Sequence, residues 1–346
     1  MKPVELISLF SKIEKDILEY IKKTDNIGIA SYKERKLLAF IRDIIEENNT
    51  KIIKSLPNII KRLLINAKLT KEARALGLTL EEVKLVYKIS EYLERNILYS
   101  GDILYQYVKR TQENVKKDLI KQNSKFYTYD LDYNRAFTLN IEKQGLIGFV
   151  DAMNRKWTYK DYNEMLVRTT YKVAQNFGVL YTYEHIDLYK IQPHSSPCPK
   201  CAPFEGRVYS RSGLNKNYPS LAEAYGKIDI NGPDDLTNTY LSIHPNCRHT
   251  LTPFLEEGKS KEELKQIREF SSFKKNPPTT EVRNQKQIEE YQKKQKARQT
   301  YLRNYKMFKN YQLKLGNEIP KTFEVFLKHK NSNSLKYQEW VKKFRK

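Results

Sequence analysis

Cysteine is scarce in this chain of 346 residues, with only Cys198, Cys201 and Cys247 present. So few thiols, and an odd number of them, exclude a disulfide-built fold and suit reduced side chains or metal ligands. Long apolar runs are missing too. No stretch of about 18 apolar residues exists, so no membrane-spanning helix is expected. At the start, Glu5, Lys12 and Glu14 interrupt any apolar segment, which argues against a secretory signal and for synthesis and assembly in a reducing cytosol. Phosphate-cradling glycine loops of the Walker or Rossmann kind are absent, which argues against nucleotide-driven chemistry. Finally, acid is depleted at one end. Residues 259–346 hold 24 Lys and Arg against nine Glu and no Asp, a net +15 out of +22 for the whole chain. Charge segregated in this way points to an acidic partner such as nucleic acid.

At 346 residues the chain is long enough for two or three domains and a sizeable core. Through residue 135 the pattern is helical. Leu6, Phe10, Ile13, Ile17 and Tyr20 recur at steps of three or four, and Thr79-Leu-Glu-Glu82 has the spacing of a capping box that opens a long helix. Pro57 and Gly77 punctuate this half. Near Gly145 the texture changes. Gly148 to Trp157 reads as a hairpin turning at Asn154, a residue that tolerates a left-handed backbone. Thr158 then caps a helix expected to end near Gly178. Ile186–Ile191, Gly206–Ser210 and Leu251–Phe254 read as short strands, and Ser220-Leu-Ala-Glu223 as another helix start. Beyond a Pro277-Pro278 break, Ile288 to Leu315 predicts a long polar helix, too poor in apolar residues for a core.

Between the first strand and the last lie two segments that hold all three cysteines and three of the five histidines: His194-Ser-Ser-Pro-Cys198-Pro-Lys-Cys201 and His244-Pro-Asn-Cys247-Arg-His249. Zinc takes four thiolate or imidazole ligands in a tetrahedron, sulfur at about 2.3 Å and nitrogen at about 2.0 Å. Cys-x2-Cys supplies two from one tight turn, and the second segment supplies the rest. The preferred set is Cys198, Cys201, Cys247 and His249, with His244 as substitute and His194 as an outer or additional candidate. Four protein ligands would close the shell, making the ion structural.

Enzymatic readings of the same residues compete. A zinc deaminase would need His-x-Glu with its Pro-Cys-x-x-Cys, and the nearest approach, His185-Ile-Asp187, has the wrong acid. A thiol protease would take Cys247 from the metal, with no oxyanion feature in sight. A nuclease of the His-metal-finger type, using His244 or His249 as general base and the basic tail to hold DNA, is the strongest enzymatic alternative.

The chain resembles the minor capsid or head morphogenesis proteins of tailed bacteriophages, including the F-type head proteins of Mu-like phages. The resemblance is carried by Phe149-Val-Asp151, Arg155-Lys-Trp157, Tyr162-x-x-Met165-x-x-Arg168-Thr169, His194, Cys198 to Ser210, Tyr218-Pro-Ser-Leu221 and Asn246-Cys247-Arg248-His249-x-x-x-Pro253. Tyr291 to Lys306 is similar to the basic helix that follows in such proteins. Asn154 stands where a glycine is usual. Some relatives lack a cysteine or the His244 position, which leaves Cys201, Cys247 and His249 as the firmest three. What the resemblance implies is a low-copy structural protein of the virion, inside the capsid near the portal. It implies contacts with portal protein and with major capsid or scaffold protein, and no established enzymatic activity.

The expectation is therefore an α+β protein, predominantly helical. An N-terminal helical docking domain (1–144) precedes a central zinc-knuckle-like α+β unit (145–257) and a basic helical C-terminal segment (258–346). The last would contact double-stranded DNA without sequence preference, through Lys293, Lys294, Lys296, Arg298, Arg303, Lys306 and Lys309. Tyr291, Tyr301, Tyr305 and Tyr311 among these cations offer stacking surfaces or, at helical spacing, ordinary packing. The structural zinc is the one cofactor expected, and host cytoplasm is the place of assembly.

Overall fold

The computed structural model describes residues 3–23, 31–68, 70–121, 129–224, 243–244, 247, 249–279 and 281–345. It is predominantly helical, with two small antiparallel sheets. None of the described helices is long and apolar enough to cross a membrane.

Helix α1 (Pro3–Lys23) buries Leu6, Phe10, Ile13, Ile17 and Ile21. Ile21 takes the buried position at the end of the stripe, and Tyr20 stacks on Phe40 instead, centroids 3.8 Å apart. Helix α2 (Ser31–Ala67) runs straight through Pro57. Proline removes one backbone donor, but the burial of Ile52, Leu56, Ile59, Ile60 and Leu64 around it holds the helix in place. After the short α3 (Lys71–Ala75) comes α4 (Leu80–Lys121), opened by the expected capping box. The Thr79 N–H donates to Glu82 Oε2 at 2.7 Å, and the Glu82 N–H to Thr79 Oγ1 at 3.2 Å. Lys68 completes the corner by donating to the same carboxylate at 2.8 Å.

Helix α5 (Tyr129–Gln144) leads into the hairpin of β1 (Ile147–Val150) and β2 (Lys156–Thr158). Asn154 has φ 58° at its turn, the left-handed conformation expected of it. Asp151 fixes the turn by accepting from the backbone N–H groups of Met153 and Arg155 and from the side chains of Arg155 and Trp157.

Helix α6 (Tyr159–Thr182) is the axis of the body, packing on α1, α2 and α4. Thr158 caps it as expected, accepting from the Asp161 N–H at 3.1 Å. It passes through Gly178 rather than ending there. A Cβ at Gly178 would sit 2.5 Å from Ala67 Cβ and 3.1 Å from Leu64 O, so this glycine serves the close approach of α6 to α2. One apolar core runs from α1 through α6 and on into the second sheet.

That sheet has the order β4-β3-β5, all antiparallel: β3 (Leu188–Ile191), β4 (Val208–Ser210) and β5 (Leu251–Pro253). The short α7 (Leu221–Ala224) follows Ser220. Helix α8 (Lys261–Ser271), capped by a Ser260–Glu263 box, packs on β4. Arg207 locks the join. It is fully buried and, among the described residues, pairs with no carboxylate, donating instead to the carbonyls of Pro203 at 2.6 Å and Asn276 at 2.6 Å, with Phe270 and Phe273 under its guanidinium.

The basic tail is more than one helix. Helix α9 (Gln285–Leu315) is followed by α10 (Phe323–Asn331) and α11 (Leu335–Arg345). Phe308 and Tyr311 from α9 join Ile319, Phe323, Phe326 and Trp340 in a small second core. The polar reading of α9 holds for its middle, where every residue from Lys296 to Arg303 is exposed.

Candidate metal centre

The sheet brings the two cysteine segments together. Strand β3 pairs with β5, Ile191 opposite Leu251, and the Gln192 N–H donates to Thr250 O at 3.0 Å. The chain entering β5 carries Cys247 and His249, and the chain leaving β3 carries His194, Cys198 and Cys201. Within the second, the N–H groups of Cys201 and Ala202 both donate to Cys198 O, at 3.1 and 3.0 Å, closing the tight turn that points both sulfurs one way. Gly206, at φ 74°, turns the chain back so that its N–H reaches Ile191 O at 2.8 Å.

Two triads of donor atoms result, each with its members within 4.8 Å of one another: Cys198, Cys201 and His244, and Cys201, Cys247 and His249. Cys201 belongs to both. The Cys198 sulfur lies 3.2 Å from His244 Nε2, the Cys247 sulfur 3.3 Å from His249 Nδ1, and the sulfurs of Cys201 and Cys247 are 4.0 Å apart. A tetrahedral zinc shell sets neighbouring donors about 3.3 to 3.8 Å apart. The donor types and their spacing therefore fit such an ion. Cys201, Cys247 and His249 are buried, while Cys198 and His244 are half-buried. The sixth candidate, His194, stands outside both triads with its ring edge-on to that of His249, centroids 4.5 Å apart.

The electrostatics agree with an unneutralised thiol cluster. Hydrogen bonding from Cys201, then from His244, holds the Cys198 thiol down at about 4. Cys247 is held down to about 3 by Cys201 first and His249 next. Cys201, hydrogen-bonded to both and desolvated, is pushed up and keeps its proton. Three thiols this close compete for charge, whereas a divalent ion would stabilise all three as thiolates.

A residue that the motif reading missed completes the site. Glu205 is buried and its Oε1 bonds His249 Nε2. A carboxylate behind a ligand histidine fixes the tautomer that leaves the other nitrogen for the metal. Burial opposes the charged imidazole, but the bonds to Cys247 and Glu205 outweigh it and raise His249 to about 9. The available signal was an acid four residues after Cys201, in a segment bound for the interior.

Of the basic residues expected to meet DNA, Lys293, Lys296, Arg298, Arg303 and Lys306 are exposed. Lys294 is exposed and donates to Ser196 Oγ. Lys309 is half-buried near Lys22 and Glu142, its pKa lowered mainly by desolvation. Helix α9 begins on the metal loop. Gln287 donates to His194 O at 3.4 Å and Arg283 to Pro197 O at 3.5 Å. Asn246 and Arg248 of the second segment lie outside the described residues.

No curated protein and no solved structure matches the chain significantly. A family model described as phage minor capsid protein 2 matches residues 2–333, and by that near-complete span the chain belongs to the family.

Proposed function

We propose that this minor capsid protein is a structural component of the virion interior, seated near the portal, with a zinc-stapled centre and a basic tail on the packaged genome. The family match across residues 2–333 carries the capsid role. The gathering of five sulfur and imidazole donors from two distant segments supports the staple. Cys201, Cys247 and His249 would hold the ion, joined by Cys198 or His244, and bound zinc would join the two loops. The helical body offers area for portal protein and for major capsid or scaffold protein. The tail's exposed Lys and Arg residues suit double-stranded DNA bound through its phosphates.

Metal analysis of protein purified reduced and without chelator is expected to give about one zinc per chain. A zero removes the staple. In purified particles the protein should resist added protease until the capsid is opened, and early digestion would place it outside. Crosslinking in intact particles should recover portal peptides. The nuclease alternative gains nothing from the geometry, since His249 has both ring nitrogens engaged and His244 Nε2 faces Cys198. Absence of DNA nicking with magnesium, manganese or zinc discards it, and nicking lost in His249→Ala restores it.

A further inference from the structure

Of the four tyrosines set among cations in the tail, two are taken up by packing. Tyr311 is buried in the second core, and Tyr291 lies half-buried under the Arg283 guanidinium, 5.4 Å from its centroid. The other two are not. Tyr301 is 55 % exposed and Tyr305 40 %. Their rings are parallel within 4°, centroids 6.2 Å apart. Both stand edge-on against Phe323, at 5.2 Å and 81° and at 5.3 Å and 79°, so the pair is braced from one side and open on the other.

Their surroundings are basic in a directed way. At 3.6 residues per turn, Lys294, Arg298, Tyr301, Tyr305 and Lys309 fall on one face of α9. The face therefore runs cation, cation, aromatic, aromatic, cation over roughly 22 Å at 1.5 Å per residue. The Lys309 ammonium lies 5.7 Å from the Tyr305 centroid. Lys294 keeps donors to spare beside its bond to Ser196, since an ammonium has three. Of two acids nearby, Glu142 is paired with Lys22 at 2.7 Å, and Glu14, near Tyr305, is held up to about 7 by burial.

Phosphate attraction alone has no need of aligned aromatic faces, whereas a single strand has unpaired bases to stack on them. We infer that Tyr301 and Tyr305 form a stacking platform for single-stranded nucleic acid, with Lys294 and Arg298 along its phosphates. This rests on the reading of the tail as a DNA-facing element, and it adds a preference for unpaired bases at one place on that tail.

The test uses the full chain with fluorescein-labelled oligo-dT and a mixed duplex, each of about twenty nucleotides, read by anisotropy at fixed salt. Tyr301→Leu with Tyr305→Leu, which keeps apolar bulk against Phe323, is expected to weaken oligo-dT binding about tenfold or more and duplex binding less than about twofold. Tyr301→Phe with Tyr305→Phe should bind both like the parent, since stacking needs the ring and not the hydroxyl. Equal losses on the two ligands, or no loss on oligo-dT while the duplex is bound, overturn the platform and leave the DNA-facing tail standing. If the parent binds neither ligand, the tail reading fails and the platform with it. Circular dichroism melts of the leucine variant separate a lost site from a lost fold, and a leucine variant that unfolds passes the decision to Tyr301→His with Tyr305→His. Those rings still stack, so retained oligo-dT binding supports the platform and its loss overturns it.

Discussion

Around α6, dozens of apolar side chains from five helices close one core, and the burden of holding the shape is spread over all of them. The neighbouring sheet has strands of three or four residues, and few groups hold its loops together: the Cys and His cluster, Glu205 behind His249, and Arg207 between the metal turn and the α8 end. Distributed apolar burial degrades gradually when one member is trimmed, whereas a handful of polar links fails all at once. The two regions should therefore answer perturbation differently, though one apolar core runs through both.

If the centre binds zinc as proposed, its loss should give the largest separation. Chelation, or Cys201→Ser, which strikes both donor triads, should cost the β3–β5 unit several kcal/mol, about half or more of a domain's usual stability. Amide exchange should rise through β3, β4 and β5 while α1, α2 and α4 keep their protection. Equal loss in both regions would show that the centre and the body unfold as one. Next, Phe10→Ala in the body removes a fully buried ring set edge-on to Tyr159, at an expected cost of about 3 to 5 kcal/mol. Urea titration should show it while zinc content stays unchanged.

A smaller effect tests a desolvated carboxyl of the body. Glu14, between α1 and the start of α6, accepts from the Lys160 N–H at 3.0 Å, yet desolvation raises its carboxyl to about 7. The folded state thus holds this proton more tightly than the unfolded state. Its stabilising contribution is present below about pH 4.5 and declines as pH rises through about 7. Glu14→Gln should raise the unfolding free energy from urea titration at pH 8 by up to about 3 kcal/mol and leave it unchanged at pH 4. A gain of the same size at both would assign the effect to packing. Smallest for the fold is Lys296→Gln on the exposed turns of α9, expected within about 0.5 kcal/mol of the parent. It should still reduce the slope of duplex affinity against log salt by about one. An unchanged slope would remove Lys296 from the DNA surface.

Much of this was legible from residue spacing, because each signal was local. The stripe in α1, the Thr79–Glu82 box, Asn154 in its turn and the three short strands all lie where the pattern placed them. Reading failed where the reason for a residue was a distant neighbour. Pro57 and Gly178 look like breaks in sequence. In the fold, one is carried by burial and the other is required by Ala67 across the helix interface. Glu205 shows in sequence only as an acid in a segment bound for the interior, while its partner His249 lies 44 residues away. The aromatic core of α9, α10 and α11 was hidden by the charge around it.

Helix α9 is held where it begins, on the loop of His194 and Pro197, and again near Lys309 against the first helices, while residues 296–303 between are exposed, with Tyr301 alone of them set against Phe323 among the described ring contacts. Residues 296–303 thus have rigid backbone positions set by anchors elsewhere. Apart from Tyr301, which braces on Phe323, the side chains of that stretch face solvent, so exchanging them should alter what the helix binds at little cost to the fold.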